Sequence, residues 1–151
     1  MMRIAVFGAT RMAGSAIVSE ALNRGHHVIA ASRRPSAANA EEERPSIRAV
    51  DVADVDAVDT VLTDVDTVAL TIRPAPGEED QLAPLTRGVP DAAARHGTRL
   101  LIRGGSAPLS FPSHPDRLLI DDPDHVPEAW KSIEQANLDQ FHACQEYSNA
   151  R

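Results

Sequence analysis

Cysteine and lysine are nearly missing from this chain. Cys144 is the single cysteine, which excludes an internal disulfide and fits a reducing, cytoplasmic setting. Lys131 is the single lysine, and the formal net charge is −7; with no face rich in basic residues, a nucleic-acid partner is not expected. Aromatic residues make up 3% of the sequence, which leaves alanine and valine to build a core of buried strands and small-faced helices. No apolar run is long enough to span a bilayer, and the apolar start is a short strand broken by Gly8 rather than a signal peptide, so no membrane association is expected. The six histidines show no metal-ligand spacing, and no metal site is expected. Nucleophile, base and orienting group nowhere occur together, so hydrolase chemistry has no support.

What the chain does contain begins at its first residues. Its 151 residues suit one domain spanning 1–151, able to bury roughly two-thirds of its unfolded surface. Ile4-Ala5-Val6-Phe7 reads as a strand, Gly8-Ala9-Thr10-Arg11-Met12-Ala13-Gly14 as a turn entering a helix, and His27 to Ser32 as a second strand. Gly8 suits the sharp bend, and Gly14 suits close packing of helix on strand. The helix N-terminus over such a turn favours a pyrophosphate through its unpaired N–H groups. Ala16, Ile17, Ala21 and Leu22 are expected on its buried face, with Asn23-Arg24-Gly25 as its stop. The second strand ends in Ser32-Arg33-Arg34 with no acid. At this place an acid reads a free ribose 2′-hydroxyl and an arginine accepts a 2′-phosphate. The pattern therefore favours NADP (as NADPH) over NAD, with Arg33 as the phosphate contact.

The remaining chain alternates between strand and helix patterns. Ile47 to Val50 is the third strand, and Asp54 is the natural N-cap of the helix Val55 to Leu62. Asp66 to Thr71 is the fourth strand; Ile72 and Arg73 follow it, at the switch in strand order where open parallel sheets bind ligands. They are expected near the nicotinamide ribose, although Arg73 also suits a role in capping the acidic loop behind it. A helix from about Gln81 to His96 carries Pro84 and Pro90, and a break near Gly88-Val89 is expected. Arg99 to Arg103 is the fifth strand. The fold is thus an α/β, Rossmann-like, doubly wound parallel sheet of order 3-2-1-4-5. Pro35 to Pro45 reads as a short helix or loop, Ala107 to Pro127 as a long loop of the kind that forms lids, and Glu128 to Ser148 as a last helix. Trp130, Ile133, Leu138, Phe141 and Tyr147 are expected on that helix's apolar side.

Gly8-Ala9-Thr10 with Gly14, Ala31-Ser32-Arg33, Asp51-Val52 and Leu101-Ile102-Arg103-Gly104-Gly105-Ser106 together resemble the atypical short-chain dehydrogenases/reductases. Within them the likeness is to the small NAD(P)H-binding branch with NmrA-like proteins, flavin reductases and biliverdin-IXβ reductase. The resemblance implies cofactor contacts from Gly8, Thr10, Arg11, Met12 and Gly14, and an adenine-side role for Asp51 and Val52. The family usually has a glycine where this chain has Arg11. If that position needs φ > 0, a side chain there costs on the order of 1 kcal/mol; Arg11 then either reaches a phosphate or blocks the site. The resemblance also implies further C-terminal strands, which this sequence lacks; the expectation is either a truncated or processed form, or a missing wall supplied by a partner copy, as a homodimer.

Many short-chain reductases use a serine after the fifth strand with a Tyr-x-x-x-Lys pair. Ser106 matches the serine and is the expected catalytic residue, orienting the acceptor or the nicotinamide carboxamide. Tyr147 and Arg151 repeat the spacing, but arginine replaces lysine and the pair falls about one helix too late. The family branch works mainly by holding the nicotinamide against a flat acceptor. The expected function is NADPH-dependent reduction of a flavin or quinone-like small molecule, with an NADP-binding, redox-sensing regulator as the alternative.

Overall fold

The computed structural model describes residues 1–35 and 45–147. The first unit is strand β1 (Arg3–Phe7), helix α1 (Met12–Asn23) and strand β2 (His27–Ser32), and next come β3 (Ser46–Ala49), α2 (Val55–Leu62) and β4 (Thr67–Leu70). Helix α3 (Leu82–His96), β5 (Arg99–Ile102), the short strands β6 (Ser110–Phe111) and β7 (His114–Leu118), and α4 (Lys131–Gln145) complete the chain. The five long-range strands form one sheet of order β3-β2-β1-β4-β5, parallel throughout. The order reverses between β1 and β4, so the carboxyl ends of these two strands open a crevice. The expectation for Pro35 to Pro45 falls mostly outside the described residues.

Alternation along the strands supplies both faces of the sheet. Ala5, Phe7, Val68, Leu70 and Leu100 join Val58, Leu62, Val89, Ala92 and Ala93 of α2 and α3 in the larger core. Val6, Val28, Ala30 and Ala69 face α1 and pack with Ala21, Ile17, Val18 and Leu22. Ala16 was expected on this buried face of α1 and is exposed. Gly14, Ile17, Val18, Ala21 and Leu22 fall at i, i+3, i+4, i+7 and i+8, and Ala16 lies off that stripe. The predicted stop holds: the Gly25 N–H bonds Leu22 O and the His26 N–H bonds Ala21 O, with Gly25 at φ 76°, a left-handed end that glycine makes without steric cost.

Three expectations need correction. Helix α3 has no break near Gly88-Val89; it runs through Pro90. Pro84 lies in the first turn, where its missing N–H costs nothing. Pro90 is itself fully buried beside Val89, Ala92 and Ala93, so packing on the sheet outweighs the one helical hydrogen bond that proline forfeits. The region from Ala107 to Pro127 is no plain loop: β6 and β7 form an antiparallel hairpin, pinned by buried Ala107, Ile120 and Val126. Last, the helix expected over Glu128 to Ser148 is a 3-10 turn at Glu128–Trp130 followed by α4. Its buried residues are Ala136, Gln140 and Ala143, whereas Trp130 is 57% and Phe141 42% exposed. Ala136 and Ala143, at i and i+7, let α4 lie close on α3, Gln140 between them bonds Thr86 of α3, and Trp130 and Phe141 turn outward.

Candidate functional site

The turn between β1 and α1 is held from below by backbone and from the side by one hydroxyl. The Gly8 and Ala9 N–H groups both donate to Ala31 O, at 3.0 and 3.2 Å, and the Arg11 N–H donates to Gly8 O at 3.2 Å. Thr71, just past β4 and 6% exposed, donates from Oγ1 to Phe7 O at 2.9 Å. Gly8 has φ 81°, and a Cβ there would lie 2.7 Å from Thr71 O. A Cβ on Gly14 would lie 2.2 Å from Gly8 O. Both glycines are therefore required by contact with backbone that has no room to move. Thr71 is a residue that sequence reasoning passed over; a hydroxyl closing the apolar run Val68-Ala69-Leu70 is the only signal that marks it.

Arg11 has φ −96° and ψ 163°, ordinary extended geometry. The expected backbone strain is thus not present, because the position does not use φ > 0. Helix α1 then starts with no side-chain cap and no acid in its first turn, leaving its N-terminal N–H groups and the positive end of its dipole open to an anion.

Above this turn lies a cleft of about 510 Å³. Gly8, Thr10, Arg11, Arg33, Asp51, Val52, Ile72 and Arg73 line it, together with Ser32, Arg34, Thr71, Pro74, Ala75, Glu78 and Leu85. The structure thus gathers eight of the ten residues expected to hold a cofactor. Met12 and Gly14 are not in the wall: Met12 is 83% exposed and Gly14 is buried beneath the turn. Asp51 accepts the Ala53 N–H at 3.0 Å, while Asp54 caps α2 through the Ala57 N–H at 3.0 Å as expected. Four arginines share the cleft, and none of them forms an ion pair with a described residue. Ser32 is 8% exposed and its Oγ has no hydrogen-bond partner among the described residues. An unpaired hydroxyl and unpaired guanidinium groups around one hollow are the donor set of a phosphate-bearing ligand.

A second hollow, of about 550 Å³, lies between β5 and α4 and is lined by Ile102, Gly104, Gly105, Pro108, Asn137, Gln140, Phe141, Cys144, Gln145 and Tyr147. It holds no arginine, and burial pushes the Cys144 thiol above its ordinary pKa, which makes it a poor nucleophile. Tyr147 Oη donates to Asp91 at 2.8 Å, and burial followed by that bond raises its pKa. An acid–base tyrosine needs the opposite shift; Arg151, the other half of the spacing, lies outside the described residues. Ser106 lies exposed in the turn after β5, where its carbonyl accepts the Leu109 N–H at 2.9 Å; it lines neither hollow. Among the described residues no group of His, Cys, Asp and Glu has a metal-binding arrangement, and no helix is long and apolar enough to cross a membrane.

Comparison with known proteins agrees with this geometry. A family described as NAD(P)H-binding matches residues 8–139. YwnB of Bacillus subtilis, itself uncharacterized, is 33% identical over 129 residues, covering 84% of this chain and 58% of its own length. The chain thus spans little more than half of that relative. A Burkholderia pseudomallei structure, provisionally described as an exported protein, is 30% identical with a TM-score of 0.82, covering 99% of this chain and 68% of that one. A Streptococcus pneumoniae structure, provisionally assigned as an NADH-flavin reductase, is 28% identical with a TM-score of 0.84, covering 99% and 69%. With the parallel order β3-β2-β1-β4-β5, the glycine turn and a family match over most of its length, this chain belongs to the NAD(P)H-binding family of atypical short-chain dehydrogenases/reductases.

Proposed function

We propose that this chain binds NADPH in the cleft above Gly8 and delivers a hydride to a flavin or quinone-like acceptor. The observation that carries the cofactor choice is the wall at the end of β2: Ser32, Arg33 and Arg34 line the cleft, and no carboxylate stands in that run to accept a 2′-hydroxyl. Arg33 and Arg34 supply the planar, fully charged donors that a 2′-phosphate matches. Ile72 and Arg73, past β4, line the same cleft on the side suited to the nicotinamide ribose. When bound, the nicotinamide supplies the hydride, and this chain's own work is to orient it and leave one face open to the acceptor. The provisional reductase assignment of the pneumococcal relative supports the reaction class, and Ser106, past the carboxyl end of β5, is the proposed contact for the acceptor.

A second reading, a redox-sensing regulator that binds NADP without turnover, is favoured by one observation: among the described residues no tyrosine, histidine or cysteine lines the cleft. Titration with NADPH and NADH, followed by cofactor oxidation with FMN or a quinone, separates the two. Tight NADPH binding with turnover is the expected result; binding without turnover selects the regulator, and equal affinity for both dinucleotides overturns the NADPH preference.

A further inference from the structure

We infer that Arg11 is a phosphate-binding side chain, contacting the pyrophosphate shared by both nicotinamide dinucleotides; this rests on the cofactor reading above. Arg11 is the residue immediately before α1, so its backbone is fixed at the mouth of the helix whose N–H groups face the turn. Its extended φ and ψ cost nothing, and its own N–H is anchored to Gly8 O. The side chain lines the cleft, is exposed, and has no hydrogen bond or ion pair to a described residue. Of the arginines outside the cleft, Arg3, Arg24, Arg87, Arg95 and Arg117 each have a carboxylate partner, while Arg48, Arg99 and Arg103 are exposed without an ion pair to a described residue; what sets Arg11 apart is its place on the cleft wall at the start of α1. In a chain of net charge −7, a guanidinium without a partner beside an uncapped helix start is arranged for an anion that is not part of the chain.

The unpaired, buried Ser32 hydroxyl on the same cleft wall is independent of the helix and asks for a polar ligand in its own right. The arginines also divide by position. Arg33 and Arg34 follow β2, where a 2′-phosphate would be read, whereas Arg11 belongs to the turn between β1 and α1, where the pyrophosphate is expected. Arg11 therefore acts on a group that NADH and NADPH have in common, and Arg33 on a group that only NADPH carries.

That division gives the test. Dissociation constants for NADPH and NADH are measured by calorimetry for the wild type, R11M, R11K and R33M, with the melting temperature of each. R11M is expected to weaken both dinucleotides by the same factor, about tenfold, the size of one charge-assisted contact, with an unchanged melting temperature. R11K should recover part of the loss, because it keeps the charge without the fork. R33M should weaken NADPH alone. Unchanged or tighter binding of both cofactors by R11M overturns the role given to Arg11 while leaving the cofactor reading intact, and so does a loss confined to NADPH. A wild type that binds neither dinucleotide overturns the cofactor reading and this inference together.

Discussion

Two hollows of similar size, about 510 and 550 Å³, sit in different parts of this molecule and are built from opposite chemistry. The cleft above β1 and β4 is walled by four arginines, two acids and an unpaired hydroxyl. The hollow between β5 and α4 is walled by glycines, proline, amides and aromatic rings, with no charged side chain, and its buried amide is already occupied. Gln140 Nε2 donates to Thr86 Oγ1 at 2.9 Å, and Thr86 Oγ1 donates to Leu82 O at 2.8 Å. The difference shows that volume does not identify a site. Charge gathered around a hollow does: four guanidinium groups line the first and none lines the second, and cations held together repel one another until an anion joins them.

The largest effect expected is at the turn. Gly14→Ala sets a Cβ 2.2 Å from the Gly8 carbonyl, a backbone atom that cannot rotate aside, so a loss on the order of 3 kcal/mol in stability is expected, with cofactor binding abolished. Gly105→Ala is the matched change on the other hollow. Its Cβ meets Asn137 Cγ and Nδ2 at 2.4 Å, which can swing away, and Asn137 Cβ at 2.8 Å, which only a small shift of α4 relieves, so the melting temperature should fall less and NADPH affinity should be kept. Thermal melts of both variants check the contrast. Equal damage from the two would mean that the turn is no more constrained than the far edge.

Next in size is Arg33→Met, which separates the two hollows by ligand rather than by packing. Loss of a charged hydrogen bond to a phosphate costs about 2 kcal/mol, a rise in NADPH Kd on the order of 30-fold, while NADH binding stays unchanged. Smaller again is Thr86→Val beside the second hollow. It keeps the volume but leaves the buried Gln140 amide, 2% exposed, without its acceptor, at a cost of about 1 kcal/mol. A denaturation curve should move while the affinity for either dinucleotide does not, marking the second hollow as structural.

The same contrast governs what could be read from the sequence. The strand order and the turn were legible because each rests on local rules: Gly8 at φ 81°, Gly14 under the turn, an Asp54 N-cap, a Gly25 helix end at φ 76°. Eight of ten expected cleft residues share one wall because the β1–β4 switch follows from topology. Thr71 was missed because its partners, the Phe7 and Gly8 carbonyls, lie 64 and 63 residues away. Pro90 misled because tertiary packing overrides helix propensity. The hairpin β6–β7 was read as loop because its strands are two and five residues long and rich in polar groups, with no alternation to follow.

That hairpin region provides the smallest and most local test. Asp122 is 8% exposed and accepts the Asp124 N–H at 2.9 Å, with Arg117 and His125 each 3.4 Å away. His125 in turn meets the Phe111 ring edge-on at 5.3 Å, and Arg117 lies 5.7 Å from the same ring. The backbone bond from Asp124 first, then the charges of Arg117 and His125, hold the Asp122 carboxyl below its ordinary range. A carboxyl whose pKa is lowered in the folded state stabilises above its unfolded value and loses that contribution as the pH falls through the folded one. The strands β6 and β7 should therefore stay protected from hydrogen exchange at neutral pH and open below about pH 4, before the sheet beneath the arginine cleft does. Asp122→Asn should remove the acid-dependent step and leave cofactor affinity unchanged. If the hairpin and β1 instead open together at every pH, the carboxyl is not what pins it, and the contrast between a self-satisfied edge and an open cleft does not extend to this part of the chain.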